Sequence, residues 1–372
     1  MTPEDDARFM RLALALGRRG LGRVWPNPAV GCVIVRRGAG GPVIVGRGWT
    51  QPGGRPHAET QALAQAGAAA RGACAYVSLE PCAHHGRTPP CAEALIGAGL
   101  ARVVSALRDP DPRVDGGGHA MLRAAGIEVV EGIEDAAAAQ ANAGFLSRLT
   151  KGRPFVTLKL ALTLDGRIAT AAGESRWITD SAARRAVHAM RASHDAVMVG
   201  AGTARADDPD LRIRGLGVAH QPVRIVADSR LGLSPDSRLG RSIEAAPVWL
   251  LHGAAAPIGA RRAWTRGGAR LIDCGADAMG RIDMGDALRR LGDAGLTRLL
   301  CEGGGGLAAS LAQGGLVDEL VVFSAGRLFG ADGTAGLGAL GLGAIGPRDF
   351  DLVESRPLGP DLLHRWQRRA PA

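Results

Sequence analysis

The residues best suited to chemistry stand close together in the chain: His57-Ala58-Glu59, then Pro81-Cys82, then Cys91. One imidazole and two thiols suit a borderline-soft zinc ion, and three protein ligands leave the fourth tetrahedral position open to water. A zinc so held lowers the pKa of that water from about 15.7 towards about 7, so hydroxide exists at neutral pH. Glu59, two residues beyond His57 at a predicted helix start, lies near the metal without ligating it and can shuttle a proton. Taken singly, His57 reads as a helix cap and each cysteine as a small buried hydrophobe. Together they point to metal-assisted hydrolysis. His84 and His85, in the loop between the two cysteines, are rival ligands. Cys32, Cys74, Cys274 and Cys301 fall in apolar strand patterns and read as structural.

A second group lies further on. Lys159 and Lys151 are the only lysines, and Lys159 interrupts an apolar run, TLKLALTLDGR. An edge-strand lysine facing solvent accounts for it as well as a functional role does. Gly303 to Gly306 fall between a short strand and a predicted helix, where bare amides can approach a cofactor phosphate. Their spacing is not that of G-x-G-x-x-G, and a glycine-rich surface turn is the alternative. Asn27, between two prolines, reads by itself as a turn former.

These residues need a scaffold, and 372 residues with 46% hydrophobic content are enough for two domains. The first half alternates helix and strand. An opening helix to about Gly20 precedes apolar runs at Ala29 to Val35 and Val43 to Val45 and a helix from His57 to Ala70. Strands are expected at Ala73 to Leu79, Arg102 to Leu107 and Ile127 to Val130, with helices beginning near Cys91 and Gly117 and an Ala-rich helix from Glu134 to Leu149. The breaker TKGRP places a boundary near Lys151, giving domains 1–150 and 151–372. The second half is again α/β, with strands at Ala196 to Val199, Val223 to Val226, Val248 to Leu251, Arg298 to Leu300 and Leu320 to Phe323. Helices are expected near Ser181 to Arg191 and Asp286 to Leu291, and Gly330 to Gly346 reads as a surface loop.

Composition narrows the partners. The formal charge is +9, yet aromatics make up 3% and no basic run interleaves with them, so phosphorylated small molecules are expected and nucleic acid is not. Arg supplies all but two of the cations, so compositional drift accounts for the charge equally well. No apolar run approaches the roughly 20 residues of a membrane span, and the acidic start is unlike a signal peptide; a cytoplasmic protein is expected.

The eight residues AHHGRTPP between Cys82 and Cys91 exceed the two usual in nucleobase and tRNA deaminases. With WPNPAVGCVIV, HAETQAL and LEPCAHHGRTPPCAEALIGAG, they resemble the deaminase half of the bifunctional riboflavin-biosynthesis deaminase/reductase family. KLALTLDGRIATAAGESRWITD, ASHDAVMVGAGTARADDPDLRIR and LLCEGGGGLAASLAQGGLVDEL resemble its reductase half, so the resemblance spans both domains. Departures stand at Asp111, where relatives more often have Asn, a change expected to leave the zinc site untouched, and at Ala325-Gly326, where they often have Ala-Pro, expected to alter a turn.

The resemblance implies a cytidine-deaminase-like α-β-α layer domain followed by a dihydrofolate-reductase-like α/β domain. It implies deamination of 2,5-diamino-6-(5-phosphoribosylamino)pyrimidin-4-one with Zn2+, then NADPH-dependent reduction of the ribosyl group of the resulting uracil to ribityl. It places metal ligands at His57, Cys82 and Cys91 and catalysis at Glu59 and Lys159. Cofactor contacts fall at Ala161, Trp177, Thr203, Asp207 and Gly304, and substrate contacts at Asn27, Ser175, Arg191, Leu211, Arg214 and Glu302. Oligomeric state stays open, a homo-oligomer being allowed. The rivals are a deaminase acting on a polynucleotide, opposed by the long cysteine loop and the second domain, and a zinc-stabilised binding module, which would want four closed ligands.

Overall fold

The computed structural model describes residues 1–86, 89–175, 178–344 and 349–369. The chain divides into two compact units, Met1–Lys151 and Gly152–Ala372.

The first unit comprises α1 (Pro3–Gly17), β1 (Gly31–Gly38), β2 (Gly41–Trp49), α2 (Ala58–Ala66), β3 (Cys74–Val77), α3 (Cys91–Gly97), β4 (Arg102–Ser105), α4 (Gly117–Ala124), β5 (Glu128–Val130), α5 (Asp135–Ala141) and α6 (Ala143–Lys151). Its five-stranded sheet runs β2-β1-β3-β4-β5. Period-2 alternation along β1 splits the core. Cys32 and Ile34 pack with Ala58 and Ala62 of α2, whereas Val33 and Val35 pack with Phe9, Met10, Ala13 and Leu14 of α1. The helices therefore cover opposite faces in an α-β-α layering. A reciprocal Thr2/Asp5 capping box starts α1.

The expected helix from Glu134 to Leu149 is two. It breaks at Asn142, whose Oδ1 leaves the helix surface to accept the Ala29 N–H at 3.1 Å. The helix expected to reach Ala70 ends as an α-helix at Ala66. Gly67 turns to φ 53° and the chain continues as a 3-10 turn to Ala70.

The second unit comprises β6 (Phe155–Thr163), β7 (Arg167–Ala169), α7 (Ser181–Ala192), β8 (Ala196–Gly200), α8 (Ala201–Asp207), β9 (Val223–Ala227), α9 (Arg238–Arg241), β10 (Val248–His252), α10 (Ile258–Arg266), β11 (Arg270–Asp273), α11 (Met284–Asp293), β12 (Arg298–Cys301), α12 (Gly305–Gln313), β13 (Glu319–Ala325), β14 (Thr334–Ala335), β15 (Phe350–Leu358) and β16 (Asp361–Arg368). Nine strands form one sheet ordered β11-β10-β9-β8-β12-β6-β13-β16-β15. The run from β11 to β13 is parallel, and β16 and β15 are antiparallel additions. The inner parallel strands are largely apolar and buried, as in a sheet covered on both faces; all five residues of β10 are buried.

Three expectations change here. Lys159 is on a central strand, since β6 lies between β12 and β13. Cys274 is buried but follows β11 instead of lying in it. The Gly330 to Gly346 stretch is not all loop: Thr334 and Ala335 pair with β7, and residues 345–346 fall outside the described set. Ala325 ends β13, so Gly326 opens the connection that follows. Among the described residues no helix is long and apolar enough to cross a membrane.

Candidate active sites

In the first unit, sequence alone brings His57 and Glu59 to one helix end. His57 is the N-cap of α2, with φ −71° and ψ 161° and no side-chain cap bond, so its ring is not used to close the helix. Its Nδ1 lies 3.2 Å from Cys91 Sγ and 3.7 Å from Cys82 Sγ. Cys91 opens α3, and its backbone N–H donates to Cys82 Sγ at 3.3 Å. The three ligand atoms lie within 4.8 Å of one another, the one such cluster among the described residues. Ligands at about 2.0 Å (N) and 2.3 Å (S) around a tetrahedral ion stand about 3.5 Å apart, so this spacing fits zinc. His84 and His85 are outside the cluster; His85 Nε2 faces Glu93 at 3.4 Å.

Electrostatics agree with a metal-directed donor set. Hydrogen bonding from Cys91 pulls the Cys82 thiol down to about 4, whereas the same pairing, with burial, pushes Cys91 up. Cys82 also pairs with His57, whose pKa it raises, and a divalent cation among the three would favour both sulfurs as thiolates. Glu59 is buried, and desolvation, then the nearby Cys82, pushes its carboxyl up to about 7. That is the range in which a general base can also return its proton.

His57, Glu59 and Cys82 line a cleft of about 720 Å³ together with Asn27, Arg55, Glu80, His84, Asp109, Asp111, Arg113 and Arg148. Asn27 donates from Nδ2 to Val24 O at 3.2 Å, so it is turn-forming and cleft-lining at once. Asp111 is outside the three-residue ligand cluster. It shares the cleft wall and is charge-paired with Arg113, whose Nη2 lies 2.5 Å from Oδ2. Glu80 and Asp109 were missed in the sequence. Both are buried acids in the LEPC and RDPDP stretches, where a proline next to an acid was the only signal.

In the second unit Glu302 and Gly304 follow β12 and Thr203 follows the adjacent parallel strand β8, at the strands' carboxyl ends, where open α/β sheets bind ligands. Glu302 follows β12 and accepts Arg191 Nε at 2.6 Å and Nη2 at 2.9 Å, while Arg191 Nη1 donates to Arg212 O at 3.0 Å. The Arg191 fork is thus engaged within the protein, and only its remaining N–H groups can reach a phosphate. Lys159 is half-buried beside this pair. Burial pulls its ammonium down, opposed by Glu302, while Arg191 adds to the lowering. Burial would raise Glu302, yet Arg191 and Lys159 hold it below the usual carboxylate range.

Gly304 and Thr203 form a second group. Gly304 caps α12 at φ 72°, and a Cβ there would stand 2.6 Å from Thr203 Oγ1, so only glycine lets the two connections meet. This bare amide corner beside a nine-residue helix N-terminus fits a nucleotide phosphate. Asp207 ends α8 and is exposed, and Ala161 is on β6 two residues from Lys159. Leu211, at φ 60°, is 3% exposed and packs in the core, so it offers backbone rather than side chain to a ligand. Arg214 is exposed, with its N–H donating to His188 Nδ1 at 3.2 Å; Ser175 is half-buried. Trp177 lies outside the described residues. Sequence reasoning also missed Arg224, fully buried in β9. Its Nη1 donates to Asp210 O at 3.2 Å, tying the segment that carries Leu211 and Arg214 to the sheet.

Residues 3–107 match the family described as the cytidine and deoxycytidylate deaminase zinc-binding region, and residues 154–364 match the RibD C-terminal domain. The riboflavin biosynthesis protein RibD of Escherichia coli (strain K12) is 42% identical over 375 residues, covering 97% of this chain and 99% of that one. The structure of Acinetobacter baumannii RibD, form 1, superposes with a TM-score of 0.87 at 38% identity, covering 99% of this chain and all of that one. A Thermotoga maritima protein described as a diaminohydroxyphosphoribosylaminopyrimidine deaminase/5-amino-6-(5-phosphoribosylamino)uracil reductase superposes with a TM-score of 0.85 at 34% identity, covering 99% of each.

Proposed function

The chain belongs to the RibD family of bifunctional riboflavin-biosynthesis proteins, a zinc-dependent deaminase joined to an NADPH-dependent, dihydrofolate-reductase-like reductase, and from that premise we propose which residues carry each reaction. The observation that carries the assignment is the convergence of His57, Cys82 and Cys91 beside buried Glu59.

We assign the zinc to His57, Cys82 and Cys91; when bound it supplies an acidified water next to the pyrimidine's amino-bearing carbon. Glu59 accepts the proton that this water loses and passes it to a ring nitrogen; it then takes the proton of the newly added hydroxyl, as that oxygen becomes the carbonyl, and delivers it to the departing amine. Its burial keeps bulk water from intercepting the proton. Asn27 and the 109–113 segment form the substrate side of the cleft.

We assign the cofactor to Thr203, Asp207, Gly304, Ala161 and Trp177; NADPH supplies the hydride that ribose C1′ receives. Lys159 is given the proton that must accompany hydride when the sugar ring opens, and its lowered pKa suits proton exchange. Glu302, held by Arg191, attracts that ammonium, and Arg191, Ser175, Leu211, Arg214 and Glu302 hold the substrate. The protein acts in the cytoplasm on phosphoribosylated pyrimidines, without nucleic acid or membrane.

Incubation of the chain with the diaminopyrimidine phosphoribosyl substrate, with and without NADPH, followed by mass analysis tests this. A gain of about one mass unit marks amine-to-carbonyl exchange and about two more marks reduction. An unchanged substrate mass in zinc-loaded protein overturns it.

A further inference from the structure

A buried carboxylate that the chemistry above does not use holds the wall of the deaminase cleft. Glu80 stands two residues before Cys82, with its side chain shut off from solvent. Its Oε2 accepts the backbone N–H of Asp109 at 3.2 Å and of Gly116 at 3.0 Å. Its Oε1 accepts the N–H of Gly118 at 2.9 Å and of His119 at 3.2 Å. Among the described residues the basic side chain within 4.0 Å of it is His119, whose Nδ1 is 3.9 Å away and whose pKa burial lowers. One carboxylate thus grips both ends of the connection from β4 to α4.

That connection carries Asp109, Asp111, Arg113 and Val114, all of which line the cleft. Its shape propagates from the grip. Asp109 Oδ1 accepts the Asp111 N–H at 2.9 Å, and Asp111 Oδ1 accepts the Arg113 N–H at 3.0 Å. There is no slack at the far end, because a Cβ on Gly118 would stand 1.9 Å from Pro81 O. Hydrogen bonds to a charged acceptor are the stronger kind, and four of them to backbone amides fix a loop rather than a single side chain.

We propose that Glu80 is a positioning residue of the deaminase, one that sets the substrate-facing wall 109–114 against the metal ligand segment 81–82. The proposal rests on the reading of this cleft as the deaminase site. Its signature is in substrate binding, because the wall touches substrate while Glu59 and the ligands do the chemistry.

Glu80→Gln is the informative variant. An amide nitrogen accepts nothing, so whichever end it occupies leaves two backbone N–H groups unpaired. KM for the diaminopyrimidine substrate should rise about tenfold or more while kcat stays within about threefold, the pattern of lost uniform binding. Zinc content and NADPH-dependent turnover of the uracil intermediate should match the parent. Amide exchange at Asp109, Gly116, Gly118 and His119 should quicken, by about tenfold or more. An unchanged KM overturns the proposal, and so does a loss of kcat or zinc alone, which would make Glu80 a support of Cys82. If Glu80→Gln does not fold, the parent decides: exchange of those four amides at the rate of exposed loop amides overturns the grip. A failure of the deaminase reading is distinguishable, because the parent would then show no turnover while the exchange result stands by itself.

Discussion

Both units place a buried carboxylate against their chemistry, and the two are controlled in opposite ways. In the first unit no guanidinium among the described residues is hydrogen-bonded to Glu59 or Asp109, and burial pushes them up, to about 7 and about 6. In the second unit Glu302 is also largely shielded, yet the Arg191 fork and Lys159 hold it below the usual carboxylate range. The contrast follows from the work. A deaminating acid/base must gain and lose protons near neutrality, whereas a carboxylate that fixes a cationic site must keep its charge. The sites also differ in construction: one gathers its ligands from 35 consecutive residues, His57 to Cys91, and the other reaches from Lys159 to Gly304.

The comparison breaks most severely if the units are not chemically independent. Cys82→Ser or Cys91→Ser should remove zinc and reduce deamination to background, because hydroxyl is a poorer zinc donor than thiolate. NADPH-dependent reduction of supplied intermediate should persist. Full zinc occupancy by atomic emission in both variants refutes the ligand set, and zinc loss from His84→Ala would bring that residue into it.

Next in size is Glu59→Gln, which keeps the shape and cannot take a proton. Deamination should fall about 10²- to 10⁴-fold, towards the upper end because one group serves several transfers. Zinc should stay bound. A loss of under about tenfold removes the shuttle role.

Lys159→Ala sharpens the other side. Hydride transfer should drop by about tenfold or more, about 1.4 kcal/mol or more of barrier, with deamination intact. Equal loss of both activities, or a fall in melting temperature that tracks the loss, would reduce Lys159 to a structural residue.

The smallest effect tests the charge contrast itself, through urea unfolding of metal-free protein between pH 3.5 and pH 7. Asp109 has a folded pKa above its unfolded value, so the folded state holds the extra proton, and stability falls as pH rises from about 4 to about 6. The parent should therefore lose ground to Asp109→Asn across that window, by at most about 3 kcal/mol. Glu302 is lowered, so its contribution is present above about 4.5 and lost as pH falls below it. The parent's advantage over Glu302→Gln should shrink in acid. Slopes of the same sign in both pairs would dissolve the contrast.

What the sequence determined by itself was local. A helix start fixes where residues i and i+2 point, so His57 and Glu59 could be placed beside one metal before any tertiary contact was known, and a cysteine opening the next helix completed the set. Strands read as apolar runs because a covered parallel sheet leaves them no polar face. The β15–β16 hairpin escaped notice for the converse reason: β15 is largely exposed, and its residues alternate with Asp, Glu and Arg. Tertiary structure alone decided the rest. Strand order moved Lys159 from a plausible edge to the middle of nine strands, and it joined Arg191 to Glu302 across 111 residues. Asn142 interrupts a helix for an amide 113 residues away, and Glu80 grips a loop about 30 residues ahead of it. A buried polar group is satisfied by whichever partner the fold brings within about 3 Å, and neither the propensity nor the period of the local chain encodes which partner that is.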